Sequence, residues 1–124
     1  EYTAHGAKVN ADADQIKQVL MNLLLNATEA MSTGGSLHVS TAIVPGGKDT
    51  EYPGWLEIRI RDTGMGIPEE VMQSLFDPFV KGKAGGMGLG LSISQRILEL
   101  HRGWIDAVNN SGKGATFTVH IPVI

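Results

Sequence analysis

The sequence predicts an α+β domain, a two-layer α/β sandwich in which a mixed, mostly antiparallel sheet of about five strands packs on about three helices. Two observations carry this. Helical periodicities beginning near Asp12 and near Leu89 are interleaved with segments of strand period. Hairpins join the strand segments in the middle of the chain and at its end. At 124 residues the chain reads as one domain, 1–124, with room for one core and not two.

The elements follow in order. A short extended piece around Ala7 to Val9 comes first. Asp12 is placed to cap a helix running to about Met31, because Ile16, Val19, Leu20, Leu23, Leu24, Ala27 and Met31 recur at intervals of three and four. Gly34 and Gly35 end it. Ser36 to Val44 and Trp55 to Arg61 alternate with strand period, joined by the polar turn Pro45 to Gly54. Pro68 opens a short helix through about Leu75, with Glu69 and Glu70 in its first turn. The glycine-rich stretch Asp77 to Gly88 is irregular. A helix from Leu89 to about His101 follows, with Leu91, Ile93, Ile97, Leu98 and Leu100 supplying its apolar positions, and Gly103 stops it. Trp104 to Val108 and Ala115 to Ile121 are the closing strands, joined by an Asn-Asn-Ser-Gly-Lys-Gly turn.

Composition removes several function classes. The formal charge is −3 with no basic stripe, which argues against a nucleic-acid partner. With no cysteine there is no disulfide and no thiolate metal site. No apolar run nears the ~20 residues of a membrane span, so no membrane contact is expected of this domain. The first residue is Glu1, and the chain reads as a domain excised from a longer protein. A cytoplasmic location is expected for it, with any inner-membrane anchor lying outside.

On the first helix Gln15, Gln18, Asn22, Asn26 and Glu29 fall in one narrow band beside the apolar stripe. Asparagine inside a helix costs about half a kcal/mol against alanine, so two on one seam need a reason. Either the band faces solvent, or its amide oxygens serve a hard cation such as Mg²⁺, which takes few protein ligands and completes its shell with water and phosphate oxygens.

Three glycine clusters carry further chemistry. Asp62-Thr63-Gly64-Met65-Gly66 follows a strand. An aspartate there can accept from an exocyclic amine such as that of adenine, or cap its own turn. In Lys83-Ala84-Gly85-Gly86-Met87-Gly88-Leu89-Gly90-Leu91 the glycines run into a helix start, where bare backbone N–H groups and the helix dipole favour phosphate. The spacing fits neither the dinucleotide fingerprint nor the P-loop. Gly112 to Phe117, taken alone, is a hairpin turn, and Phe76-Asp77-Pro78-Phe79 alone is two aromatics around a proline turn.

Taken together and in order, these segments resemble the ATP-binding catalytic domain of bacterial two-component sensor histidine kinases, members of the GHKL superfamily with the Bergerat fold. The N box is similar to Gln18 through Ala27 and the first G box to Asp62 through Ile67. The F box resembles Phe76 through Phe79, the second G box Gly86 through Leu91, and the third Gly112 through Phe117. The resemblance implies ATP and Mg²⁺ as ligands, with Asn26 on the metal, Asn22 supporting the phosphates or the ion's water shell, and Glu29 joining that shell. Asp62 would accept from adenine, with Gly64, Gly66 and Ile67 around the base and Thr116 behind it. Gly86, Met87, Gly88, Leu89, Gly90 and Leu91 would lie along the phosphates. Phe76 and Phe79 would anchor the lid over ATP, and Lys83, or Lys81, would face the β- or γ-phosphate. The second G box carries Met87 where threonine is common, and the lid, Val80 to Gly85, is very short.

Relatives that hydrolyse ATP carry a glutamate four residues before the metal-binding asparagine, to activate water. Here that position is Asn22, and an amide cannot take the proton. The resemblance therefore implies transfer of the γ-phosphoryl group to a histidine on the protein's own dimerisation domain, and onward to a response regulator. Catalysis would rest on positioning and charge stabilisation, with catalytic roles for Asn22, Asn26 and Lys83. None of His5, His38, His101 and His120 is followed by the acidic residue usual at the family's acceptor, so all four read as surface or strand residues. A nucleotide-responsive binding module and a serine-directed kinase of the same superfamily are the alternatives.

Overall fold

The computed structural model describes residue 2 and residues 4–48, 51–77 and 90–124. Its elements run α1 (Ala13–Ala30), β1 (Leu37–Pro45), β2 (Gly54–Asp62), α2 (Glu69–Met72), α3 (Gly90–Leu100), β3 (Trp104–Asn109) and β4 (Ala115–Pro122). The strands form one antiparallel sheet in the order β1-β2-β4-β3. The two-layer α+β architecture is the expected one, with four strands among the described residues in place of about five. The extended piece near Val9 contributes a single bridge to Val123, and among the described residues the one parallel pairing is the bridge of Tyr2 to Thr41.

α1 begins where Asp12 Oδ1 accepts from the N–H groups of Asp14 and Gln15, at 3.0 and 3.1 Å. Its apolar stripe drives Val19, Leu23 and Ala27 into the core, where they meet Ile60 of β2, Leu91, Ile97 and Leu98 of α3, Ile105 of β3, and Phe117, Val119 and Ile121 of β4. Fully burying each large apolar side chain is worth about 1.5–3 kcal/mol, which fixes α1 and α3 on one face of the sheet.

The helices differ in detail from their sequence pattern. Of the apolar positions of α3, Ile93 and Leu100 are 40% and 61% exposed, while Ser94 is wholly buried. Helical phase places Ser94, three residues after Leu91, on the inner side, and a hydrogen bond makes its burial affordable. Arg102, at φ 61°, takes the left-handed position at the end of α3 that Gly103 was expected to supply, with the Gly103 N–H returning to Leu98 O at 2.8 Å. Its guanidinium donates to the Tyr52 hydroxyl at 3.1 Å, which holds Arg102 above its ordinary pKa. α2 is one turn, and the chain after it continues through turns with Ser74 N–H bonded to Val71 O and Asp77 N–H to Ser74 O.

His101 also does more than occupy the surface. Its Nε2 accepts from the Asp12 N–H at 3.0 Å while Nδ1 lies 2.7 Å from Ile97 O, so the ring joins the end of α3 to the start of α1. His120 stacks on Trp104 and lies 2.9 Å from Asp106.

Candidate active site

The sheet-facing side of α1, the end of β2 and the start of β4 enclose a cavity lined by Asn26, Ala30, Asp62, Met65, Gly66, Ile67, Pro68, Val71, Leu75, Ala115 and Phe117. Asn26 of the amide ribbon, Asp62, Gly66 and Ile67 of the first glycine cluster, and two residues of the third cluster thus share one space. A mostly apolar cavity with a few convergent polar groups is the usual form of a small-molecule site.

Asp62 is 2% exposed. Its Oδ1 accepts from the Gly64 N–H at 2.9 Å and the Ala115 N–H at 3.3 Å, so the turn and the first residue of β4 hold the carboxylate in place. Oδ2 has no donor among the described residues. A carboxylate pinned through one oxygen and open at the other is an acceptor for a ligand's N–H.

Glycine is required at two positions around it. A Cβ on Gly64 would lie 2.3 Å from Ala30 O, the carbonyl to which Met65 N–H donates at 3.1 Å, so α1 and the turn touch backbone to backbone. Gly114, at φ 86°, would carry a Cβ only 2.0 Å from Asp62 O. The turn before β4 is therefore pressed against the back of Asp62.

Two residues that the sequence offered as ordinary turn positions, Asn109 and Asn110, are tied into this arrangement. Asn109 Oδ1 accepts from the Ile67 N–H and its Nδ2 donates to Ile67 O, both at 2.8 Å. Asn110 Nδ2 donates to Asp62 O at 3.0 Å, and its Oδ1 accepts from the Thr116 hydroxyl. Thr116 does not line the cavity, in contrast to the position expected for it behind the base. It reaches the site through Asn110, while Ala115 and Phe117 on either side face inward.

On α1, Asn22 Nδ2 donates to Gly90 O and to Ser94 Oγ, each at 3.2 Å, and Ser94 Oγ donates to Gly90 O at 2.8 Å. Asn22 thereby ties the ribbon to the first turn of α3, where the second glycine cluster ends. Leu91 sends its side chain into the core at 1% exposed, leaving only its backbone to face an anion. The Asn26 amide has no hydrogen-bond partner among the described residues. Glu29 Oε2 is buried and likewise without a partner there. Phe76 packs against the core. Phe79, Lys81, Lys83, Gly86, Met87, Gly88 and Leu89 lie outside the described residues.

Known proteins share the sequence family and the fold. Residues 11–124 match the family model described as histidine kinase-, DNA gyrase B-, and HSP90-like ATPase. The sensor histidine kinase ZraS of Klebsiella oxytoca is 40% identical over 124 residues, covering 98% of this chain and 25% of that protein, so the chain spans about a quarter of that relative's length. The solved catalytic domain of histidine kinase ThkA superposes with a TM-score of 0.78 at 33% identity, covering 98% of this chain and 76% of that one. ThkA in complex with the response regulator TrrA gives a TM-score of 0.75 at 30% identity, over 100% of this chain and 33% of that one. With the matched residues taking in α1, the whole sheet and every lining residue of the cavity, the chain belongs to the histidine kinase-, DNA gyrase B- and HSP90-like ATPase family.

Proposed function

We propose that this chain is the catalytic domain of a sensor histidine kinase, which binds ATP with Mg²⁺ and donates the γ-phosphoryl group to a histidine on a separate dimerisation domain. The observation that carries the reading is Asp62, buried at the cavity with Oδ1 saturated by backbone N–H groups and Oδ2 open. That oxygen suits the exocyclic amine of adenine, and the apolar walls Ile67, Val71, Leu75 and Phe117 suit the faces of the ring.

The α1 ribbon fits Mg²⁺. A buried carboxylate oxygen without a partner is costly, and a nearby cation removes the cost. Asn26 would hold the ion through its amide oxygen, with Glu29 in the surrounding shell. Bound there, the metal neutralises charge on the phosphate oxygens. Asn22 holds the first turn of α3, and with it the carbonyl of Gly90, in register with α1. The glycines from Gly86 to Gly90 and Lys83 would meet the phosphates.

In the transfer, the bond from the γ-phosphorus to the oxygen of the ADP leaving group breaks. A phosphorus–nitrogen bond forms at the unprotonated nitrogen of the acceptor imidazole, and the proton on its other nitrogen passes to solvent. The protein contributes alignment and charge rather than a covalent intermediate. Asn22, in the position of the water-activating glutamate of hydrolytic relatives, offers water no base, which favours transfer over hydrolysis. The phosphoryl group then passes to a response regulator, in keeping with the ThkA complex, and the reaction takes place in the cytoplasm. The test is transfer in trans. Mixed with its own dimerisation domain and γ-labelled ATP, the chain should place acid-labile label on that domain's histidine. Acid-stable label, or none, would contradict the reading.

A further inference from the structure

We infer that Asn109 is a positioning residue for the nucleotide, its side-chain amide fixing the wall that Gly66, Ile67 and Pro68 present to the base; this rests on the nucleotide-binding reading of the cavity. The wall is thin. Met65, Gly66, Ile67 and Pro68 line the cavity that holds Asn26 and Asp62, and the same four residues line a second cavity whose far side is Asn109, Asn110, Gly112, Lys113 and Gly114. Ile67 packs its side chain against the core, but the backbone of the segment runs between two cavities, so van der Waals contact alone leaves its position loosely set.

The Asn109 amide spans that gap. Oδ1 takes the Ile67 N–H and Nδ2 gives to Ile67 O, both at 2.8 Å, as a neighbouring strand would. Only one orientation of the amide satisfies both groups, since reversing it sets N–H against N–H and oxygen against oxygen. Gly66 beside it stands at φ 76°, and a Cβ there would approach Asn109 Oδ1 to 3.1 Å. The clasp links residues 42 apart in sequence, carrying the rigidity of the β3–β4 hairpin to the wall.

Asn109 is itself exposed, and water can satisfy the Ile67 backbone once the amide is gone. Its loss therefore costs the fold little. The wall then samples positions that do not fit the base, and affinity falls by the fraction of time spent there. Loss of two hydrogen bonds that water partly replaces should weaken nucleotide binding about three- to tenfold.

The experiment is calorimetry of ATP and ADP, each with and without Mg²⁺, on the wild type, Asn109→Ala and Asn109→Asp, with melting of the nucleotide-free proteins alongside. Asn109→Ala should weaken ATP and ADP by the same factor in all conditions, with the melting temperature nearly unchanged. Asn109→Asp keeps the acceptor for Ile67 N–H but sets its second oxygen against Ile67 O, and should bind both nucleotides no more tightly than Asn109→Ala. Equal affinity of Asn109→Ala and wild type overturns the inference alone. So does a loss confined to ATP or to Mg²⁺, because the base is common to both nucleotides. So does a loss of affinity explained by a large fall in melting temperature shared by both variants. A wild type that binds neither nucleotide overturns the assignment of the cavity, and this inference with it.

Discussion

Replacing Asp62 by asparagine separates recognition of the base from support of the fold. The Asp62 side chain has two jobs on two oxygens. Oδ1 holds the Gly64 and Ala115 N–H groups at 2.9 and 3.3 Å, and Oδ2 is left for the ligand. In Asp62→Asn the amide oxygen keeps the first job, while an NH₂ group faces the adenine amine. A charge-assisted hydrogen bond is worth roughly 1.5–3 kcal/mol, and tenfold in affinity is about 1.4 kcal/mol, so ATP should bind roughly 10- to 150-fold more weakly. The nucleotide-free protein should melt close to the wild type. Asp62→Ala also orphans two N–H groups, at about 1–3 kcal/mol for a buried donor, and should lose stability as well as binding. Calorimetric titration with ATP–Mg²⁺ reads the affinity and scanning calorimetry the melting. If Asp62→Asn binds ATP within about twofold of the wild type, the carboxylate does not contact the base and the reasoning fails.

Three further outcomes are expected. Asn26→Ala should erase the difference in ATP affinity with and without Mg²⁺, leaving metal-free binding unchanged; a retained difference in calorimetry would put the ion elsewhere. Gly114→Ala forces a Cβ into the left-handed region and within 2.0 Å of Asp62 O, and should cost roughly 2–4 kcal/mol, about 8–15 °C in melting temperature for a domain of this size. A melt within 2 °C of the wild type, read by circular dichroism, would show that the turn relaxes freely. The isolated chain should acquire no stable label from γ-labelled ATP, because none of its four histidines is followed by an acidic residue; label on His101 or His120 after electrophoresis would contradict this.

What the sequence makes legible follows how local the signal is. The spacing of Val19, Leu23 and Ala27 is a property of one helix, and it located α1 and its buried face. Asp62 stood out because a charged residue ended a strand of alternating apolar side chains beside glycines. Asn109 and Asn110 gave no such signal. Their chemistry lies in contacts 42 and 48 residues away, and within their own turn they read as polar hairpin residues. Ser94 was hidden in the same way, since its burial depends on Asn22 arriving from another helix. The fifth strand was overcounted because Ala7 to Val9 is extended and yet meets the sheet at one residue, beyond the end of β4. Arg102 shows the converse, a left-handed turn taken by a residue whose type does not announce it.

The most direct measurement is a nuclear magnetic resonance titration of the isotope-labelled chain with ATP–Mg²⁺, following backbone amides. The account predicts the largest shifts at Asn26, Asp62, Gly66, Ile67, Ala115 and Phe117, which line one cavity. Silence at those residues, with shifts gathered instead around the separate concavity of Asn10, Tyr52, His101 and Arg102, would contradict it.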